Sequence, residues 1–226
     1  MLPISHAIQP LRWIFWGLML CVFDFAFSTT QEVNGVVSGF RFDVLNDLLG
    51  MIIVTCGVSK LRKFELPGSY QSFMLFVFVV SVLNCLVALK EHFIFPEPTP
   101  LSLLSDGISI ATLLAVVLFC LCMQQLSQTY GLVRSVQSWR MTMQLALFLL
   151  VLPLGIMRVV GLLAIFLGPN FGIALGVLAI PILLAMLVPF IHFFISTSRM
   201  KREAEMVTAQ SIDLPDPSVD DTSVSF

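Results

Sequence analysis

Apolar residues gather into six blocks along this chain, at about residues 12–28, 40–61, 70–89, 105–125, 141–167 and 171–196. Polar or proline-bearing connections separate them. The blocks lie near the ~20 residues that a helix needs to cross the hydrocarbon core of a bilayer. The pattern therefore predicts an all-α fold, a polytopic integral membrane protein built as a six-transmembrane-helix bundle over residues 1–198. Residues 199–226 begin basic, turn acidic and hold few large apolar groups, and they are expected to form a disordered cytoplasmic tail.

The block boundaries carry their own signals. Trp13 and Trp16 open the first block, as suits an interfacial belt. Arg12 before an apolar run, with Ala26-Phe27-Ser28 as a small-x-small triplet, also describes a cleaved secretory signal. Asp24 within the run and the bulky aromatics favour a retained helix. Residues 29–38 read as a polar loop and Pro67-Gly68 as a turn. The stretch 90–103, with three prolines, cannot be one continuous helix. Ser105 and Asp106 read as N-cap and first-turn acid of the fourth helix. Pro153 predicts a kink in the long fifth helix, and Pro181 and Pro189 bends in the sixth. Gly172 and Gly176 have the spacing that lets helices approach closely.

Composition agrees with the pattern. Of 226 residues, 58% are hydrophobic and 12% charged, and mean hydropathy is +0.96. A soluble domain is nearer a quarter charged. The net charge of −2 decides little, because the charges are segregated between blocks and in the tail. No basic run interleaved with aromatics points to nucleic acid. All five cysteines (Cys21, Cys56, Cys85, Cys120, Cys122) lie within apolar blocks, which suits small core residues better than disulfides. Cys120 and Cys122, two apart on a helix, point to different faces and make a poor metal pair.

Six helices put both termini on one side, and lysine and arginine say which. With the N-terminus inside, the inner segments hold Arg12, Lys60, Arg62, Lys63, Arg134, Arg140, Arg199, Lys201 and Arg202. The outer segments hold Arg41 and Lys90, and Arg158 falls within the fifth helix. The expected location is the cell inner membrane with both termini cytoplasmic.

That orientation allows the polar groups to be compared by depth. At ~1.5 Å of rise per residue, Arg158 lies ~14 Å below the outer end of its helix. Asp24, Asp43, Asp47, Asn84 and Asp106 all fall in the outer half. An unpartnered arginine at that depth is expensive. The expectation is therefore a buried polar cluster in which Arg158 pairs with Asp47 and Asp24, with Asp43 left nearer water beside Arg41. Asp43, Asp47, Gly50, Val54 and Gly57 recur at helical steps, and Gly50 and Gly57 mark a close helix contact. One reading makes the cluster structural glue between helices. The other makes it an outward cavity whose carboxylates bind a cation or proton during transport. His192 is expected as a neutral imidazole bonded to a neighbouring helix, and His92 as a solvated loop residue. No nucleophile–base set, paired metal ligands or phosphate loop is assembled, so the chain is read as a non-enzyme without cofactor or metal.

The segment RWIFWGLMLCVFDF followed by GFRFDVLNDLLGMIIVTCGVSKL resembles a family of small bacterial multi-pass membrane proteins of uncharacterised activity. In these an aromatic-Gly-Leu pattern leads to a Gly-Phe-Asp, Leu-Pro-Asp, Gly run that opens the second helix and ends in Gly-x-Ser-Lys-Leu. The matching positions are Gly39, Asp43, Leu45, Asp47, Gly50, Gly57, Ser59, Lys60 and Leu61. Residues intervene between Phe40 and Asp43, and Asn46 stands where the pattern has proline. The resemblance covers about residues 11–63. It implies a bacterial integral membrane protein and brings no activity with it. The expected role is structural or interactive in the lipid bilayer, as a homo-oligomer or with another membrane protein. The alternative is a small-solute or cation/proton-coupled transporter using the outer carboxylates.

Overall fold

The computed structural model describes residues 3–22, 26–33, 36–43, 47–93, 99–167 and 179–212. Helix α1 (Ser5–Val22) is followed by strands β1 (Ala26–Val33) and β2 (Val36–Asp43), and then by α2 (Asp47–Leu61), α3 (Tyr70–Phe93) and α4 (Thr99–Thr129). Helix α5 (Val133–Ala146) runs through a π turn (Leu147–Val151) directly into α6 (Leu152–Leu167), and α7 spans Ala179–Ile212. Because α5, the π turn and α6 form one rod, the described residues hold six helices.

Tyr70–Lys90, Leu103–Thr129 and Val133–Gly161 are long and apolar enough to cross a membrane. They mark a membrane-associated protein.

The helices form a closed ring: α1 packs on α2, α2 on α3, α3 on α4, α4 on α5, α5 on α7, and α7 returns to α1. The ring begins with an antiparallel pair that glycine makes possible. A Cβ placed on Gly17 would lie 2.6 Å from the Gly50 carbonyl oxygen, and one on Gly57 would lie 2.6 Å from Ile14 and 2.9 Å from the Pro10 carbonyl oxygen. No side chain fits there, so the two backbones touch.

Among the described residues, burial on the ring is concentrated at the end carrying the short connections between α2 and α3 and between α4 and α5. Leu61, Tyr70, Met74, Met123, Leu126 and Trp139 are fully buried there. The Tyr70 hydroxyl donates to the Leu61 carbonyl at 2.9 Å, and Gln71 Nε2 donates to the Phe64 carbonyl at 2.6 Å. Between them Gly68, at φ +85°, supplies the left-handed turn. Lys60, at the same end, sits 3.8 Å over the Trp13 ring.

Several boundaries differ from the sequence expectation. Helix α1 begins at Ser5 rather than near residue 12, α5 begins at Val133 rather than near Met141, and α3 runs on to Phe93, so that His92 is helical and not a loop residue. Residues 26–33 and 36–43, expected as a helix end, a loop and a helix start, instead pair as antiparallel strands from Ala26 opposite Asp43 to Val33 opposite Val36. The run Val36-Val37 to Phe42 is rich in strand-formers, and Asn34-Gly35 is the dipeptide that two-residue hairpins favour. Helix α2 accordingly starts at Asp47, and Asp43 and Asp47 do not share a helical turn. Helix α4 starts at Thr99 with Pro100 in its first turn, where a missing N–H costs nothing. Ser105 is therefore helix interior, its hydroxyl donating to the Leu101 carbonyl at 3.1 Å, and is not an N-cap. Finally, the segment expected as disordered from residue 199 continues as helix to Ile212.

Candidate functional site

The ring encloses a partly open cavity of about 260 Å³. Side chains from six helical segments line it, among them Leu18, Val54, Val80, Leu113, Phe119 and Phe193, and no lining residue is charged among the described residues.

Three polar side chains interrupt the α3 and α4 walls. Ser81 Oγ donates to the Phe78 carbonyl at 2.8 Å, and Thr112 Oγ1 to the Ile108 carbonyl at 2.8 Å. Both return their hydrogen to their own helix, as hydroxyls in apolar surroundings do. Asn84 Nδ2 donates to the Val80 carbonyl at 2.9 Å and to Thr112 Oγ1 at 2.7 Å. Both bonds use the amide nitrogen, so the acceptor oxygen of Asn84 makes no hydrogen bond among the described residues.

The opposite wall follows from the α5 stripe Ser135, Ser138, Trp139, Thr142 and Ala146, buried at three- and four-residue steps. Its hydroxyls meet α7 in a polar seam. His192 Nδ1 lies 2.8 Å from Thr142 Oγ1, Thr142 Oγ1 lies 2.7 Å from Ser196 Oγ, and Ser196 Oγ lies 2.8 Å from Ser138 Oγ. These hydroxyls and the imidazole meet one another across the helix contact and fix α7 against α5, while the buried Trp139 indole N–H between them has no hydrogen-bond partner among the described residues. Thr142 belongs to both the seam and the cavity wall.

Beyond Ala146 the rod changes character at its π turn. Pro153 has no N–H to give the Leu149 carbonyl, and its ring crowds that carbonyl. The wider turn at Leu147–Val151 relieves the crowding, just before the proline at which a kink was expected. Leu150, within the π turn, faces the cavity.

At the well-packed end the seam finishes in a helix cap. The N-cap position of α5 is Leu132, which offers no side-chain acceptor. Glu203 of α7 fills that role. Its Oε1 accepts from the Arg134 N–H at 3.0 Å, and its Oε2 accepts from the Ser135 N–H at 2.8 Å and the Ser135 hydroxyl at 2.6 Å. Burial pushes this carboxyl upward, but the Ser135 hydroxyl, the two N–H groups and the Arg134 charge outweigh it and hold it below its ordinary value. The positive end of the helix dipole acts in the same direction.

The expected polar cluster is arranged differently. Arg158 Nη1 donates to Asp106 Oδ1 at 2.7 Å, with the arginine side chain half-exposed. Its partner is therefore Asp106 and not Asp47, because α6 lies against α4 whereas α2 packs between α1 and α3. Asp47 opens α2, where a carboxylate suits the exposed N–H groups, and its backbone carbonyl accepts from Cys21 Sγ at 3.8 Å. Asp43 ends β2. Asp24, Gly172 and Gly176 lie outside the described residues. Gly50 and Gly57 sit in the α1–α2 contact. Sequence reasoning missed Glu203, Ser135, Ser138, Thr142 and Ser196. The one available signal was the uncapped start of α5, where Gly131-Leu132-Val133 holds no capping side chain.

No family model, curated protein or solved structure matches the chain. What fold and site define is a class: a helical membrane protein with an interior cavity whose lining, among the described residues, carries no charge.

Proposed function

We propose that this is a multi-pass membrane protein that spans a cell's inner membrane six times with both termini cytoplasmic, and that its role is structural or interactive rather than ion-coupled transport. The observation that carries the reading is the cavity lining, which offers a cation neither a carboxylate nor a ring of carbonyl ligands among the described residues. Arg158, the charge most in need of a partner, is matched by Asp106 and leaves no unbalanced pair to cycle. The grouping of Lys60, Arg62, Arg134, Arg199, Lys201 and Arg202 beside the well-packed end supports a cytoplasmic assignment for that end.

Liposomes loaded with a pH-sensitive dye test this directly. With the purified full chain reconstituted, proton and sodium flux should match protein-free liposomes under an imposed gradient. Flux above that background which disappears in Asp47→Asn, with the variant still folded, would establish the transporter reading instead.

A further inference from the structure

We propose that the central cavity binds a neutral amphiphile, a hydrocarbon chain carrying one small uncharged head group with a hydrogen to donate, such as a long-chain alcohol. This goes beyond the structural role above and does not depend on it.

The argument begins with size and lining. An apolar cavity of ~150 Å³ in a soluble protein already takes up small hydrocarbons. The volume here, about 260 Å³, is larger and is enclosed by a ring of helices with spanning segments. Hydrocarbon is abundant around such a bundle, so an empty cavity competes poorly with a filled one. The shape suits a chain. On one wall the lining runs from Val77 to Asn84, on the other from Thr142 to Leu154. At ~1.5 Å per residue those walls extend ~10 and ~18 Å along the bundle.

The head group follows from what the wall can satisfy. No lining residue is charged among the described residues, so a carboxylate or phosphate drawn inside would lose its hydration without recompense. The Ser81 and Thr112 hydroxyls already donate to their own helices. Thr142 is committed to His192 and Ser196 in the seam. Those hydroxyls keep spare lone pairs, but of the oxygens on these polar side chains only that of Asn84 makes no hydrogen bond among the described residues, and it is held in place because its amide nitrogen is bonded twice. An acceptor selects a donor, so the ligand brings a hydroxyl or its equivalent. The head lies at the Asn84–Thr112 end and the tail runs toward Phe193.

A photoactivatable decanol with a mid-chain diazirine, added to the full chain in phosphatidylcholine nanodiscs and mapped by mass spectrometry, tests the assignment. Label should concentrate on the stretches around Val80 and Val116. Excess decanol should displace it at a concentration three- to tenfold below that needed of decyl methyl ether, which has the chain but no donor. Decanoate at alkaline pH should displace it least. Filling the cavity from two helices, by Ala115→Leu or Ala146→Leu, should lower labelling at least fivefold. Size-exclusion and thermal profiles show which variants remain folded. Asn84→Leu should bring decanol and the ether to the same displacing concentration. Label spread evenly over outward-facing residues such as Leu104 and Phe148, unchanged by both filling variants, would overturn the site. A decanol preference that survives Asn84→Leu would overturn the head-group assignment.

Discussion

Along the single rod formed by α5, the π turn and α6, the first half buries Ser135, Ser138, Trp139, Thr142 and Ala146, while every described side chain from Leu147 to Leu163 is half-buried or exposed. Among the described residues the same contrast separates the two ends of the ring. Where the α2–α3 and α4–α5 connections lie, aromatic rings stack and cross, with Phe193 5.3 Å from Trp139 and 6.0 Å from Phe119. At the other end, among the described residues, α6 makes an ion pair to α4 whose arginine is half-exposed. Lipid tails are as apolar as leucine, so burial alone gives helices no reason to prefer each other over the bilayer. The well-packed end therefore holds through what lipid cannot supply: hydrogen bonds across helices, a capped helix start, backbone contact at glycine and interlocking rings. Where α6 lacks these, Leu152, Ile156, Met157, Val159 and Leu163 face outward.

The sharpest way to break this comparison is to truncate one large side chain on each half of the rod. Trp139→Ala should lower unfolding stability in detergent by about 3–5 kcal/mol, as for a buried aromatic in a core. Phe148→Ala, 62% exposed only nine residues away, should cost less than about 0.5 kcal/mol. Equal losses would mean that both halves are packed alike.

A smaller effect is expected at the trans cap. Glu203→Ala should cost about 1–2 kcal/mol, and a Thr or Asp at Leu132 should recover part of it. The carboxyl is held below its ordinary value of 4.5, so its contribution is complete above that pH and is lost as pH falls through the lowered folded value. Wild-type stability should therefore drop more steeply than that of Glu203→Gln below about pH 4 in acid melts. Parallel curves would remove the cap from the account of this end.

The smallest effect belongs to the far end. A double-mutant cycle with Arg158→Gln and Asp106→Asn should give a coupling of about 0.5–1 kcal/mol, as for a pair with one half-exposed partner. A coupling well above that would mean the pair is as desolvated as the seam, and would narrow the difference between the ends.

What the sequence made legible was whatever depends on composition over a helix length. The apolar blocks place the helices, and the glycine spacing marks the α1–α2 contact. The hairpin was hidden because residues 26–28 and 40–43 are apolar enough to extend the flanking blocks, while the alternation that makes them strands is only eight residues long on each side. The arginine's partner was chosen by matching depths, and depth alone does not say which helices touch. Asp106 has nearly the same depth as Asp47, but only its helix lies beside α6. The cap could not be found by spacing because Glu203 and Ser135 are 68 positions apart and meet only once the ring has closed.

The π turn sets the angular phase of everything that follows it. An α-helix turns ~100° per residue, and a π turn absorbs one residue beyond the α-helical repeat. Removing one residue between Leu147 and Val151 would straighten the rod and rotate α6 by about that angle relative to the stripe that grips α7. The α5–α7 seam, upstream of the turn, would keep its register, while Arg158 would swing away from Asp106. A widened turn that began as an accommodation of Pro153 thus works as a clutch. It lets one continuous helix serve two neighbours whose required faces do not line up.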